Sequence, residues 1–276
     1  MMDHTFGVIG AGNMAEALLH GIFDAGILHP ARCIVTNKSN DERLARLSRA
    51  WDVRTTRDKA LLMAEGDIVI LAVKPHDMPA VLVEIAPYVT PHHLIISVAA
   101  GVSTEMIERR LGAVPVVRAM PNTSTAVRAS ATAIAEGRHA GPHHLAIVRQ
   151  LFEAVGWVGA VPEPLFDVVT AVSGSGPAYV YVLAEALVDS GERAGLPRDI
   201  ALALVAQTVL GAGKMLTETG EGPTVLRDRV TSPGGTTMAG LKALEEGGLR
   251  AAVQAAVTRA AHRARELRDA PARSRG

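Results

Sequence analysis

Short apolar runs alternate with longer amphipathic stretches along residues 1–163. The runs indicate strands, and Asp67–Val73 is continuously apolar, as a strand buried on both faces must be. Between the runs, Met14–Ala25 and Asp41–Ala50 have helical periodicity. The alternation predicts a parallel sheet covered by helices on both sides. The predicted strands are Thr5–Ile9, Cys33–Thr36, Asp67–Val73, Leu94–Val98, Val114–Arg118, Ala131–Ala135 and an edge strand at Val155–Val161.

The pattern changes after Pro164, and no strand is predicted from Leu165 to Leu267. Helical stretches rich in Ala, Leu and Val follow one another there. Leu202–Leu210 is apolar on most faces, and a helix of that kind has to be enclosed. One helical domain is too small to enclose all of them, so we expect a second subunit to cover some. The predicted helices are Pro177–Ala194, Pro197–Thr219, Pro223–Arg229, Gly235–Glu246 and Leu249–Arg268.

A glycine-rich turn follows the first predicted strand and opens the first predicted helix. Its sequence, GAGNMA, is the GxGxxA form of the dinucleotide-binding fingerprint. Gly10 allows the tight turn, Gly12 lets the backbone approach a pyrophosphate, and Ala15 keeps helix and strand close. The alternative is a glycine turn in an α/β domain that binds no nucleotide. The residues assigned to the cofactor here are Ile9, Gly10, Ala11, Gly12, Asn13 and Met14.

The end of the second predicted strand bears on which nicotinamide cofactor is bound. NAD sites place Asp or Glu there to bind the ribose 2′-OH, but residues 36–40 of this chain read TNKSN. Asp41 and Glu42 come later and fit the first turn of a helix. Asn37 and Lys38 suit a 2′-phosphate, so NADPH is favoured, with NADH as the alternative.

Two further strand ends supply candidate contacts, because ligands of open α/β sheets bind at the carboxyl ends of strands. Ala72, Val73 and Lys74 end one strand and are assigned to the cofactor. Lys74 is also a catalytic candidate that faces cofactor or substrate; the alternative is a solvated strand-end lysine. Ala99 follows the next strand, where small residues leave room for a nicotinamide ring to lie flat.

A second anion site is indicated far along the chain, at Val230–Thr237. The segment predicts a helix start with Ser232 as N-cap and Pro233 at the first helical position. Its glycines leave backbone N–H groups bare, and bare N–H groups at a helix N-terminus bind phosphate or carboxylate. Because the first glycine turn already accounts for a phosphate, we expect this site to hold a substrate. The alternative is an ordinary capped helix.

Composition narrows the classes of function. The formal net charge is zero, so no basic field is present to hold nucleic acid. Cys33 is the only cysteine, which excludes an intramolecular disulfide and fits a reducing cytoplasm. The histidines have no metal-ligand spacing, so no metal is expected. We also expect no signal peptide, and no membrane partner, since no apolar run approaches the roughly 20 residues of a membrane span.

A series of motifs resembles those of the pyrroline-5-carboxylate reductases, and the match covers nearly the whole chain. The most specific is VTSPGGTT at Val230–Thr237. One departure is Ser124, where such enzymes usually carry proline; we expect it to loosen that loop without removing the contacts of Asn122. The other motifs are GAGNMA at Gly10–Ala15, AVKP at Ala72–Pro75, SVAAGV at Ser97–Val102, RAMPNT at Arg118–Thr123, SGSGPAY at Ser173–Tyr179 and QTVLGAGKM at Gln207–Met215.

The resemblance implies a cytoplasmic oxidoreductase that reduces Δ1-pyrroline-5-carboxylate to L-proline, the last step of proline and hence amino-acid biosynthesis. A hydride passes from NADPH or NADH to C5 of the cyclic imine. The resemblance and the hydrophobic pattern together imply a Rossmann-like dinucleotide-binding domain at residues 1–163, an all-α dimerisation and substrate domain at 164–268, and a flexible tail at 269–276. The implied assembly is a homodimer through the helical domain, with a ring of dimers as a further alternative.

By the same resemblance, backbone N–H groups and hydroxyls of the VTSPGGTT segment hold the substrate carboxylate. Thr237 is the candidate for a hydrogen bond to the imine nitrogen and for proton donation, and it joins Lys74 as a catalytic candidate. The implied substrate-binding residues are Met120, Pro121, Asn122, Ser232, Gly234, Gly235, Thr236 and Thr237.

Two other classes of protein stay open at this point. A β-hydroxyacid dehydrogenase or an imine reductase shares the layout. The hydroxyacid enzymes carry a catalytic lysine early in the first long helix of the second domain, however, and Pro177–Val188 has none. A non-catalytic NADP-binding scaffold would not need a second anion site such as Val230–Thr237.

Overall fold

The computed structural model describes residues 2–269. The tail expected at 269–276 therefore lies outside the described residues, except for Asp269, which ends a helix. The chain divides into two compact units. One unit holds the residues up to Ser175 together with those from Thr258 onward, and the other is Gly176–Val257.

The first unit is built on one sheet of eight strands. The strands are β1 (Phe6–Ile9), β2 (Cys33–Thr36), β3 (Arg54–Thr55), β4 (Ile68–Leu71), β5 (Leu94–Ser97), β6 (Val116–Met120), β7 (Ser130–Glu136) and β8 (Gly156–Ala160). Their order across the sheet is β3-β2-β1-β4-β5-β6-β7-β8, so the direction of winding reverses between β1 and β4. Open α/β sheets bind ligands outside the carboxyl ends of strands at such a reversal.

Helices cover both faces of this sheet. They are α1 (Asn13–Asp24), α2 (Asp41–Trp51), α3 (Lys59–Glu65), α4 (Met78–Ile85), α5 (Thr104–Leu111), α6 (Pro142–Glu153) and the short α7 (Phe166–Val169). Successive strand residues point to opposite faces. In β4, Ile70 packs into the core that contains Leu18 of α1, whereas Leu71 packs into the core that contains Leu82 of α4. The expectation of a sheet covered on both sides is therefore confirmed.

The sequence-based expectation was wrong for part of the sheet. A fully parallel sheet was expected, but β7 runs antiparallel to β6. The chain between them, residues 121–129, is too short for the crossover helix that a parallel pair needs, and it forms only the tight turn Thr123–Val127. The strand β3 was not predicted because it is two residues long and exposed, which leaves no hydrophobic pattern to read.

The second unit is helical. It contains α8 (Gly176–Arg193), α9 (Arg198–Glu218), α10 (Pro223–Arg229), α11 (Thr236–Glu246) and the first part of α12 (Leu249–Asp269). No strand is present between Leu165 and Leu267, as the sequence predicts. Few residues of these helices are buried. Helix α9 has one buried residue, Ala201, and α11 and α12 have none.

Helix α9 is the one helix within residues 2–269 that is long and apolar enough to cross a membrane, judged by length and composition alone. The expectation that no apolar stretch approaches that length was therefore wrong. That expectation counted uninterrupted apolar residues. In α9, uncharged residues such as Gln207, Thr208 and Gly211 interrupt the run without adding charge, so the mean hydropathy stays high.

Candidate functional site

The glycine turn after β1 is tied into the sheet at the point where its winding reverses. The N–H group of Gly10 donates to the carbonyl oxygen of Thr36 at the end of β2, over 2.8 Å, and the N–H group of Ala72 donates to Ile9 over 2.8 Å. Gly10 has a φ of 108°, and a Cβ atom built on it would lie 2.5 Å from the carbonyl oxygen of Ala72. Only glycine satisfies both constraints.

Gly12 is the N-cap of α1 and has no side chain that could cap the helix. A Cβ atom at Gly12 would meet nothing within 4 Å, so the space beside it is open rather than filled by protein. The first backbone N–H groups of a helix have no partner within the helix, and here they face that space. Ala15 is buried against the strand layer. This arrangement fits the pyrophosphate of a dinucleotide.

The loop after β2 is held by its own asparagines. The side chain of Asn37 accepts from the N–H group of Asn40 over 3.0 Å and donates to the Asn40 carbonyl oxygen over 2.7 Å. Asn40 in turn caps α2 by accepting from the N–H group of Arg43. Lys38 projects from this loop with 84% of its side chain exposed, and its Nζ lies 3.2 Å from Asp77. The loop thus presents a cation beside the first turn of α2.

Two arginines that the sequence did not identify reach the cofactor turn and this loop. Arg43 donates to the Asn13 side chain over 2.8 Å and pairs with Glu16, both in the first turn of α1. Arg57 follows β3 and donates to the carbonyl oxygen of Asn37 over 2.6 Å. Because β3 was not predicted, the sequence offered no reason to expect Arg57 beside this loop. The only available signal was an arginine 20 residues after Asn37.

The remaining cofactor candidates lie at the ends of β4 and β5. Lys74 is exposed and precedes the tight turn Pro75–Asp77. Val73 is partly buried, whereas Ala99 is buried, and its backbone N–H group donates to the Oγ of Ser97 over 3.4 Å. These positions surround the same edge of the sheet as the glycine turn.

The segment after β6 is organised around Asn122. Its side chain accepts from the N–H group of Ser124 over 3.1 Å and donates to the carbonyl oxygen of Ser173 over 3.2 Å. Ser124 was expected to loosen this loop. The N–H group of Ser124 is a donor that proline lacks, and the contacts of Asn122 are present with serine at this position. Met120, at the end of β6, has its Cε 3.1 Å from where a Cβ atom of Gly174 would lie, so Gly174 gives it room.

Arg118 lies inside the first unit, two residues before Met120, and was not predicted as a site residue. Its guanidinium lies 4.5 Å from the centre of the Phe166 ring and 3.1 Å from Glu163. Burial lowers the pKa of Arg118, and the Glu163 carboxylate opposes that shift. Glu163 also accepts from the backbone of Thr104 over 2.9 Å. These contacts fix the chain after β8 onto the strand that ends at Met120.

The VTSPGGTT segment lies in the second unit and differs from its prediction. Helix α11 begins at Thr236 with Gly235 as N-cap, so Ser232 is not the cap and Pro233 is not the first helical residue. Instead, the N–H group of Gly235 donates to the carbonyl oxygen of Ser232 over 3.0 Å, and Gly234 has a φ of 70°. Proline followed by left-handed glycine is typical of a type II turn.

That turn still leaves a bare helix N-terminus. No side chain caps α11. A Cβ atom at Gly235 would lie 2.5 Å from the Oγ of Ser232, so a larger residue there would require the Ser232 side chain to move. Thr236 is exposed and Thr237 is half-buried in the first turn of the helix. The site therefore offers backbone N–H groups and hydroxyls, the donors that suit a carboxylate.

Among residues 2–269, no group of three or more His, Cys, Asp or Glu side chains is arranged to hold a metal ion. Cys33 is buried in β2, and burial raises the pKa of its thiol to about 12. It is a core residue and not a nucleophile at neutral pH.

A doubly wound sheet with a glycine turn and a bare helix N-terminus at its reversal point defines a dinucleotide-binding protein of the Rossmann class. Comparison with known proteins identifies the family. Residues 163–267 match the family described as pyrroline-5-carboxylate reductase dimerisation, and residues 5–101 match that described as NADP oxidoreductase, coenzyme F420-dependent.

Individual relatives agree with these matches. A pyrroline-5-carboxylate reductase of Bacillus spizizenii is 44% identical over 95% of this chain and 88% of its own. A structure of the Coxiella burnetii pyrroline-5-carboxylate reductase has a TM-score of 0.91 at 40% identity, covering 96% of this chain and 99% of that one. The Plasmodium falciparum pyrroline carboxylate reductase, solved with NADP bound, has a TM-score of 0.86 at 30% identity, covering 98% and 100%.

The chain therefore belongs to the pyrroline-5-carboxylate reductase family, and the resemblance found in the sequence is confirmed. The expected fold class, a Rossmann-like domain followed by a helical dimerisation domain, is confirmed as well.

Proposed function

We propose that this chain reduces Δ1-pyrroline-5-carboxylate to L-proline with NADPH, the last step of proline biosynthesis. The observation that carries the proposal is the presence of two helix N-termini without a side-chain cap, one at Gly12 and one at Gly235. One suits the pyrophosphate of the cofactor and the other the carboxylate of the substrate. Relatives that are 40–44% identical over nearly the whole chain are pyrroline-5-carboxylate reductases.

When bound, NADPH supplies the hydride that the reaction needs. In our proposal the chain holds it with the N-terminus of α1 on the pyrophosphate and with Asn37 and Lys38 near the ribose. Ala99 and the end of β4 leave space for the nicotinamide. NADH is the weaker alternative, because residues 36–40 carry no carboxylate to bind a 2′-OH.

The substrate is a cyclic imine that bears a carboxylate. We assign the carboxylate to the N–H groups of Thr236 and Thr237 and to the Ser232 hydroxyl, with Gly234 and Gly235 shaping the turn. The Thr237 hydroxyl forms a hydrogen bond with the imine nitrogen, as donor to the neutral imine or as acceptor from the protonated one, and so orients the ring. Met120, Pro121 and Asn122 complete the proposed set of substrate-binding residues.

Little acid–base machinery is required of the protein. A protonated imine is the more electrophilic form, and its reduction leaves a neutral amine. The remaining tasks are to hold an anion, exclude water and orient the ring. Lys74, exposed at the end of β4, is the other proposed catalytic residue, where its ammonium group would face cofactor or substrate.

We further propose a homodimer formed through the helical domain at residues 164–268, with residues 1–163 as the cofactor domain. In the second unit, Tyr181, Val182, Leu202 and Leu204 are each at least half exposed, although they are large and apolar. Such a surface is typical of a protein interface. An interface also explains the apolar residues of α9 better than a membrane does. From the family's role in biosynthesis we propose a cytoplasmic location. Sedimentation should give a dimer or a ring of dimers, and a monomer would contradict this part.

The proposed activity is tested by measuring NADPH oxidation with pyrroline-5-carboxylate beside a panel of other cyclic imines and 2-keto acids. We expect pyrroline-5-carboxylate to have the highest kcat/KM and NADPH to be preferred over NADH. A keto acid that oxidises NADPH faster would place the chain with the β-hydroxyacid dehydrogenases, and another cyclic imine that does so would place it with imine reductases of a different substrate range.

A further inference from the structure

Arg57 reaches the loop after β2 from the far edge of the sheet. Its Nη1 donates to the carbonyl oxygen of Asn37 over 2.6 Å and to the Asn37 side chain over 2.9 Å. Its Nε donates to Asp41 over 2.9 Å, and Nη2 bonds to the same carboxylate. The backbone contact matters most, because it holds the guanidinium on the loop whatever happens to Asp41.

The pairing with Asp41 is one that a stronger anion can replace. The two Arg57 donors that reach Asp41, Nε and Nη2, bond to the same oxygen, Oδ1. The other carboxylate oxygen forms no bond to Arg57. The Asp41 side chain is 85% exposed and that of Arg57 is 40% exposed. Exposed ion pairs contribute little net free energy. A phosphate with nearly two negative charges and three acceptor oxygens competes well for the same guanidinium.

Asp41 also affects how a 2′-phosphate reaches Arg57. It is the first carboxylate after β2 and lies in the first turn of α2, beyond the strand end where NAD-specific sites place an acid for the ribose 2′-OH. Left unpaired, it would repel a 2′-phosphate. Arg57 offers the phosphate a planar pair of donors, Nε and Nη2, which fits phosphate better than the single ammonium of Lys38 does.

We propose that Arg57 is a specificity-determining residue of this chain, which binds the 2′-phosphate of NADPH in place of Asp41. The proposal rests on the cofactor site assigned under the proposed function. It predicts that cofactor preference depends on the Arg57–Asp41 pair more than on Lys38 alone.

The test uses fragments of the cofactor that carry no nicotinamide, so that no activity is needed. The full-length protein is titrated by calorimetry with 2′,5′-ADP and with 5′-AMP, which differ only in the 2′-phosphate. The variant is Arg57→Gln. The matched control is Arg54→Gln, since Arg54 lies three residues earlier, on β3, and pairs with Glu65 instead.

We expect Arg57→Gln to reduce the preference for 2′,5′-ADP over 5′-AMP by about tenfold, the size of a lost charged hydrogen bond. Arg54→Gln should leave the preference unchanged. If the loss in Arg57→Gln is less than about fivefold relative to the control, the proposal is overturned.

Asp41→Asn provides a second, independent variant. It removes the competing carboxylate and leaves Arg57 in place, so 2′,5′-ADP should bind more tightly while 5′-AMP binding stays the same. Unchanged or weaker binding of 2′,5′-ADP would contradict the competition between Asp41 and the phosphate for Arg57. The outcome is separate from the reductase assay: wild-type protein that binds 2′,5′-ADP in this way but does not reduce pyrroline-5-carboxylate overturns only the proposed reaction.

Discussion

Gly10 lies directly against Ala72, so that the end of β1 and the end of β4 meet without a side chain between them. A Cβ atom at Gly10 would approach the Ala72 carbonyl oxygen to 2.5 Å, and the φ of 108° is itself unfavourable for any other residue. The contact joins the two strands at the place where the winding of the sheet reverses, and it sets the direction in which α1 presents its N-terminus.

The first prediction concerns that contact. Gly10→Ala should lower the free energy of unfolding by about 2 kcal/mol, because the backbone must shift or remain strained. NADPH affinity should fall with it. Gly26→Ala is the control, since Gly26 also has a positive φ, of 65°, but its Cβ atom would meet nothing. Urea denaturation and calorimetry measure both quantities; equal losses in the two variants would show that collision with Ala72 is unimportant.

The second prediction separates substrate from cofactor binding. Thr237→Ala removes the hydroxyl assigned to the imine nitrogen, so kcat with pyrroline-5-carboxylate should fall about a hundredfold. The Kd for NADPH should stay nearly constant, because Thr237 has no assigned cofactor contact. Thr237→Ser keeps the hydroxyl and should retain most of the activity. Parallel loss of turnover and NADPH affinity would contradict the assignment.

The third prediction concerns Lys38. Lys38→Asp places a carboxylate near the ribose, so NADPH should bind about tenfold more weakly relative to NADH. Arg109→Asp, a charge reversal at an exposed position of α5, serves as the control. The Kd values of both cofactors measured for the two variants decide the matter, and an unchanged preference would remove Lys38 from the cofactor site.

The fourth prediction concerns the buried ion pair behind Met120. Arg118→Met leaves Glu163 without its guanidinium partner, so the free energy of unfolding should fall by about 3 kcal/mol. Arg109→Met removes an exposed pair with Glu105 and should cost less than about 0.5 kcal/mol. Urea unfolding monitored by circular dichroism gives both values. A similar small effect for both arginines would mean that the Arg118–Glu163 pair does not fix the chain after β8.

The fifth prediction is a pH dependence. Burial raises the pKa of the Cys33 thiol from 9.0 to about 12, so the folded protein keeps a proton that the unfolded chain releases. The free energy of unfolding should therefore decline between pH 9 and 12, by at most about 1.4 kcal/mol per pH unit from this group. Below pH 9 the contribution is fully present. Cys33→Ala should show a smaller decline, and identical slopes would exclude Cys33 as the cause.

Much of the fold was predictable because its signals are local. Cys33–Thr36 is apolar between polar neighbours, and Pro223–Arg229 starts at a proline and ends before a β-branched residue; both were predicted at their observed bounds. The antiparallel β7 was not predictable from its own residues, because direction depends on the length of the connection and on the partner strand. Proline and glycine at 233 and 234 fit a capped helix start and a type II turn alike, which explains the misplaced start of α11.

In the candidate site, too, residues with a local sequence signal were predicted and residues with distant partners were not. Gly10 and Gly12 were identified because the fingerprint is contiguous in sequence. Arg57 and Arg118 were missed because their roles come from partners that lie far away along the chain, Asn37 and Glu163. Contacts of that kind depend on the order of strands in the sheet, which no local pattern encodes.

The central claim, that the first turn of α11 holds the substrate carboxylate, is tested most directly by nuclear magnetic resonance. The deuterated, nitrogen-15-labelled protein is titrated with L-proline in the presence of NADP⁺, and then with pyrrolidine, which has the same ring without the carboxylate. We expect the amide resonances of Thr236 and Thr237 to shift with L-proline and not with pyrrolidine. Resonances that stay in place with L-proline, or move equally with both molecules, would contradict it.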